Sequence, residues 1–363
     1  MKNKLICIIL ISLGQSGVAI SQIAKIDSPV KNFEKLWNTF DERYANFELK
    51  KVNWHELHKK YKPLINEETT NVELFEICCL MLQELSDGHV TIEPNFKDDD
   101  IECGPPYSFN FDVTFDTVDE IGAFVSVMEN EFLENGFSKP IKKTLSEDTN
   151  FQYRVSESLG YLRLDEMTEK ITFGKFNRAV DESMKAFQNK KGLIVDLRFN
   201  GGGWDHNSYQ LASRFIPDGK TIGHFKRTKI KGQERYSPMK YKKVESGGKT
   251  PFEGPFVILT SDYTASAAEV FIMLMKELSN VTIVGDNTEG IFSDMYEFKL
   301  PNKWKVSLSH QQFFSQEKVN FEGVGIPPDI RIKNSKSDIE QENDPVIQIA
   351  IDLLKSKTSA NSN

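Results

Sequence analysis

The apolar run Pro255-Phe256-Val257-Ile258-Leu259-Thr260 breaks at Ser261-Asp262-Tyr263 and resumes, across Thr264-Ala265-Ser266-Ala267-Ala268-Glu269, as a helix-like run from Val270 to Leu278. A buried strand that turns directly into a buried helix ties the chain to a layered architecture, with helices packed on a sheet. The alternation continues on both sides. Gly160 to Leu164 and Gly192 to Arg198 read as strands, Phe173, Phe176, Val180, Met184 and Phe187 share one helical face, and Val281 to Val284 reads as another strand. Strands separated by helical patterns predict an α/β core with parallel strands.

Ser266 stands where that strand becomes a helix, beside backbone N–H groups at the positive end of the helix dipole. Two roles fit: a nucleophile next to an oxyanion site, or a helix cap, for which serine is a favoured residue. Asn200-Gly201-Gly202-Gly203, after the Gly192–Arg198 strand, is a turn whose backbone can approach a ligand and present N–H groups to an anion. No Lys-Ser or Lys-Thr follows it and the GxGxxG spacing is missing, so nucleotide binding is not indicated.

The chain has 363 residues, 27% of them charged, and a net charge of −8. Lys2 and Lys4, the apolar run Leu5 to Ile11 and the small residues Ser16, Gly17, Ala19 and Ser21 read as a secretory signal over residues 1–21. The apolar core is too short for a membrane span. Loss of Lys2 and Lys4 takes the charge from −8 to −10, and no basic patch stands out, which excludes nucleic acid as a partner. An exported protein, periplasmic or extracellular, with no integral membrane segment after cleavage is expected. Cys78 and Cys79 read as small core residues, with a bridge from one of them to Cys103 left open.

Ahead of the core, Ser28-Pro29 starts a helix carrying Phe33, Leu36, Trp37, Phe40 and Tyr44. Thr70 with Glu73 forms a capping box for a second helix, which stops at Ser86-Asp87-Gly88-His89. The expected organisation is therefore a helical module over 28–88, a small β-rich connection over 89–158, the core over 159–335, and an acidic solvated linker with a closing helix over 336–363. Within the connection, Phe109 to Val113 and Gly122 to Val127 read as strands.

Leu193 to Gly203 (LIVDLRFNGGG) and Phe256 to Glu269 (FVILTSDYTASAAE), with Gly285 to Gly290 and Phe321 to Ile330, resemble in order the blocks of the tail-specific, or C-terminal processing, serine peptidases. The resemblance implies a ClpP/crotonase-like core with Ser266 as nucleophile. Those peptidases pair the serine with a lysine directly after the Thr-x-Gly block, where Ile291 stands here. Lys276, ten residues along the helix from Ser266, lies about 280° around it and cannot serve. The tricorn core protease-like branch of the superfamily uses instead a histidine from an N-terminal module and a late glutamate. Ser86-Asp87-Gly88-His89 and Phe321-Glu322-Gly323 match those blocks, except that Gly88 replaces the serine that precedes the histidine there.

A serine hydroxyl needs a base whose pKa lies near the working pH, which histidine supplies. The expected site is Ser266, His89 and Glu322, with the N–H groups of Gly202 and Ala267 as oxyanion hole. No cofactor or metal is expected, since no HExxH or other ligand spacing is present. His55, His58, His206, His224 and His310 read as surface or packing residues, Glu269 as its own helix's cap, Glu289 as exposed, and Asp196 and Arg198 as structural. The function implied is a serine endopeptidase acting on peptides or unfolded proteins. The alternatives are a non-catalytic peptide- or lipid-binding relative and a small-acyl hydrolase. No PDZ module is expected in 90–159, and an oligomer is compatible with the sequence.

Overall fold

A computed structural model describes residues 28–95, 103, 118–145, 150–167, 173–248 and 251–360. The signal segment and the Phe109–Val113 strand lie outside these. In chain order the strands are β1 (Thr91–Glu93), β2 (Ile141–Thr144), β3 (Asn150–Val155), β4 (Leu159–Leu164), β5 (Gly192–Asp196), β6 (Thr221–Thr228), β7 (Lys240–Glu245), β8 (Phe256–Thr260), β9 (Val281–Gly285), β10 (Met295–Lys299), β11 (Lys305–Ser309), β12 (Gln311–Phe314) and β13 (Ile330–Arg331).

The central sheet runs β13-β9-β8-β5-β4-β3-β2. From β4 to β13 neighbouring strands are parallel, and β3 and β2 add antiparallel pairs at one edge. β4, β5 and β8 are buried along their whole length, as strands covered on both faces must be. Leu162, Leu193, Val195 and Ile258 pack on one face against the helices Phe173–Phe187, Asp205–Ala212 and Ala267–Met275. Tyr161, Ile194, Val257 and Leu259 pack on the other, against Val118–Glu134 and Pro345–Ala360. The result is the layered α/β core expected from the sequence.

Three expectations need correction. Gly122 to Val127 lies inside the helix Val118–Glu134. Phe124, Met128 and Phe132 recur every fourth residue and are buried, a helical spacing that Gly122 before them and the valines between them mask. The connection over 89–158 is accordingly not β-rich throughout, and its strands β2 and β3 belong to the central sheet. The acidic stretch from Ser337 to Asp344 is no solvated linker either. Lys336–Glu340 is helical, and Asp344, fully buried, accepts two hydrogen bonds from Arg198 Nη1 at 3.0 and 2.9 Å. Arg198 also binds Asp196, so these two residues are the structural pair that their alternation predicted.

The N-terminal helices form a separate core. Pro29–Arg43 is capped by Ser28, and Asn71–Gln83 by the Thr70 and Glu73 capping box. Into this core reach Leu300, Trp304, Val306 and Leu308 from the β10-β11 hairpin, and β11 pairs antiparallel with β1, Thr91 opposite Ser307. Late-chain residues therefore carry the helical module. Cys79 and Cys103 form a disulfide that ties this module to the backbone opposite Ile92. Cys78 is free and buried, its thiol pushed up by desolvation.

Candidate active site

The turn between β8 and the helix Ala267–Met275 is held by side chains that bond to the neighbouring β5 exit. Ser261 Oγ donates to the Arg198 carbonyl (2.6 Å), Thr264 Oγ1 to the Leu197 carbonyl (2.9 Å), and the Ala265 N–H to the Asn200 carbonyl (3.0 Å). At its apex Ser266 has φ 52° and ψ −118°. Helix caps ordinarily sit in the extended region, and this positive-φ region is costly for any residue with a Cβ. A turn held in such a conformation is the geometry of a nucleophile presented between strand and helix. The Ser266 N–H donates to Glu269 Oε2 (3.0 Å), so Glu269 does cap its own helix.

Glu269 does more. It is fully buried and also accepts from Thr288 Oγ1 (2.5 Å), the Gly290 N–H (2.8 Å) and the Ile291 N–H (2.9 Å). Burial pushes its carboxyl up to about 7 against the pull of these donors. Segment 288–293 is thus stitched to the serine's helix at one end. At the other, the Phe292 N–H donates to Glu322 Oε2 (2.9 Å), and the backbone of Ser293 faces His89. Glu289, read as exposed, is partly buried, and desolvation followed by the charge of Glu269 raises it to about 7.

Gly202, at φ 102°, packs against the apex: a Cβ there would lie 2.6 Å from Ser266 Cβ and 2.8 Å from the Ala265 carbonyl oxygen. Its N–H donates to Asn200 Oδ1 (2.8 Å). The sequence placed this N–H in an oxyanion hole, and in this arrangement it already has a partner. Ala267 is the first helical residue, so its N–H is one of those that a helix leaves without an intrahelical partner.

His89 lies within a turn in which the Val90 N–H closes on the Asp87 carbonyl (3.0 Å). Its own N–H donates to Asp87 Oδ1 (3.0 Å), and its carbonyl accepts from Ser307 Oγ (2.7 Å). Desolvation lowers the imidazole pKa, with Asp87 and Asp294 opposing and Lys50 reinforcing. The ring is accordingly neutral near pH 7, the state a base requires. Glu322 is buried, and desolvation together with the charge of Asp87 drives it well above the usual carboxylate range. Two buried atoms here, His89 Nδ1 and Glu322 Oε1, have no hydrogen-bond partner among the described residues.

The sequence reading missed the roles of Asp87, Asn200 and Ser293, and it overlooked Lys50, whose Nζ donates to the Ser86 carbonyl (2.7 Å) beside Gly323. Asp87 carried one legible signal, its place two residues before the histidine. Of the other histidines, His224 is buried and stacked on Phe313, and the His206 ring packs at a tilt against Trp204. Among the described residues no group of three His, Cys, Asp or Glu could hold a metal ion. No described helix is long and apolar enough to cross a membrane.

Comparison with known proteins bears on family and fold. Residues 158–332 match the family model described as Peptidase family S41, and residues 29–83 match the Tricorn protease C1 domain. A carboxy-terminal-processing protease of Bartonella bacilliformis is 25% identical over 218 residues, which cover 58% of this chain and 48% of that protein. The chain spans less than half the length of the first curated relatives it matches. Among solved structures, a putative peptidase from Parabacteroides merdae superposes with a TM-score of 0.73 at 26% identity, covering 91% of this chain and 97% of that one. Mature CPAF in complex with lactacystin superposes with a TM-score of 0.62 at 11% identity, covering 90% and 97%, a likeness of fold.

Proposed function

We propose that this chain, which carries a peptidase family S41 domain behind a tricorn-type C1 module, is an exported serine endopeptidase that cleaves peptides or unfolded proteins through an acyl-enzyme. The observation that carries this reading is the strained Ser266 at the start of its helix, packed against Gly202. His89 takes the proton of the Ser266 hydroxyl as its oxygen attacks the peptide carbonyl, and returns that proton to the leaving amine. Water, deprotonated by the same imidazole, then releases the acyl group.

The tetrahedral oxyanion rests on the Ala267 N–H and on that of Gly202, which exchanges its neutral bond to Asn200 for a stronger one to a charged oxygen. Glu322 supports the base by holding the Phe292 N–H, and with it the segment that faces His89. Export rests on the basic, apolar and small-residue pattern of residues 1–21 and agrees with the Cys79–Cys103 disulfide.

The test is labelling by a fluorophosphonate probe and casein hydrolysis by the mature protein, with Ser266→Ala and His89→Ala alongside. Labelling and hydrolysis that both disappear in Ser266→Ala support the proposal. An unlabelled, inactive wild type indicates a binding protein, and full activity in His89→Ala removes the base.

A further inference from the structure

We propose that Asp87 is the positioning residue of the base: it fixes the turn that presents His89 and supplies the negative charge that stabilises its imidazolium. This rests on the reading of His89 as the base for Ser266. Asp87 is fully buried, and its carboxylate joins three parts of the chain. Oδ1 accepts the His89 N–H at 3.0 Å and the Ser309 hydroxyl at 3.1 Å, while Oδ2 accepts the Tyr44 hydroxyl at 2.8 Å. Tyr44 caps the end of the first helix and Ser309 ends β11. An aspartate that only closed a turn would need the N–H bond alone. Two further hydroxyl donors in this buried site bind the carboxylate and fix its orientation.

The surrounding groups divide the labour. Around His89 lie Asp87, Asp294, Lys50 and the Ser293 backbone, and Asp87 is the largest influence favouring the charged ring. Among the described residues Glu322, by contrast, has one backbone donor to its carboxylate and an unpartnered Oε1. Two neighbouring buried carboxyls do not both ionise readily. Glu322, with the fewer donors, is the carboxyl pushed above the usual carboxylate range, and it anchors the Phe292 backbone. Tyr44, raised by burial and by Asp87, remains a donor throughout.

Steady-state peptide hydrolysis over pH 5–9 tests this with two variants whose effects have opposite signs. Asp87→Asn keeps the shape and removes the charge. Its kcat should fall by roughly ten- to a hundredfold with KM within about twofold, and the acid limb of kcat/KM should move to lower pH. Tyr44→Phe removes one donor and leaves the carboxylate less neutralised, so its acid limb should move to higher pH. Thermal melting of each shows that the variants are folded. Acid limbs that stay in place in both variants, or move the same way, overturn the assignment and leave Asp87 a structural residue. Full activity in His89→Ala is a different result, which removes the base and the assignment with it.

Discussion

Replacing Ser266 by glycine separates the strain of the turn from its chemistry. At φ 52° and ψ −118° the serine occupies a region that costs a residue with a Cβ about 1–3 kcal/mol. Glycine removes that cost but loses about 0.5–1 kcal/mol through its freer unfolded chain. Alanine keeps both the Cβ and the strain, so it is the proper reference. Ser266→Gly should therefore be more stable than Ser266→Ala by about 0.5–2 kcal/mol. At roughly 2–4 °C per kcal/mol for a domain of 150–250 residues, this is about 1–8 °C in melting temperature. Differential scanning fluorimetry of the two proteins reads this directly, and neither should label with a fluorophosphonate. A glycine variant that melts at or below the alanine variant would mean that the turn is not strained. The case for Ser266 as more than a cap would then lose its main support.

Two further outcomes follow from the same geometry. Gly202→Ala, whose Cβ would meet Ser266 Cβ at 2.6 Å, should displace the serine and lower kcat by on the order of a hundredfold or more while the protein still folds; wild-type acylation in a stopped-flow burst would contradict this. Glu269, raised from 4.5 to about 7, binds its proton more tightly folded than unfolded, so its contribution to stability is complete below about pH 4.5 and is lost as pH rises through 7. The full effect is on the order of 3 kcal/mol, and the wild-type melting temperature should fall more steeply between pH 5 and pH 8 than that of Glu269→Gln; parallel curves would refute it.

The strands β4, β5, β8 and β9 and the helices between them were legible because a strand covered on both faces leaves a continuous apolar run and a covering helix leaves a face. Val118–Glu134 was not, since Gly122 and the valines lent it strand-like composition while Phe124, Met128 and Phe132 marked its buried face. Asp344 looked like part of a solvated acidic run because its partner, Arg198, lies 146 residues away. Ser266, His89 and Glu322 could be named from their blocks, whereas Asp87 could not be given a role. Tyr44 and Ser309, 43 and 222 residues distant, decide what its carboxylate does. Sequence pattern reports local periodicity, and a buried carboxylate is defined by donors that arrive from elsewhere.

Ile291 shows what accompanies the missing lysine. Its N–H is bound by Glu269 and the following N–H by Glu322, so the segment that carries the lysine in the resembling peptidases here links the serine's helix to the neighbourhood of His89. Ser266 and His89 stand beside residues packed into different hydrophobic cores, Ala267 in one and Val90 in the other. The second core includes Trp304, Val306 and Leu308 from a hairpin that directly follows segment 288–293. A lysine on that segment would need only the core domain to meet the serine. A histidine from the helical module needs the module docked, the hairpin paired with β1 and the Asp87 turn closed. On the proposed mechanism, activity depends on packing well outside the Ser266 turn, and loss of the Trp304 contacts would separate base from nucleophile without touching either.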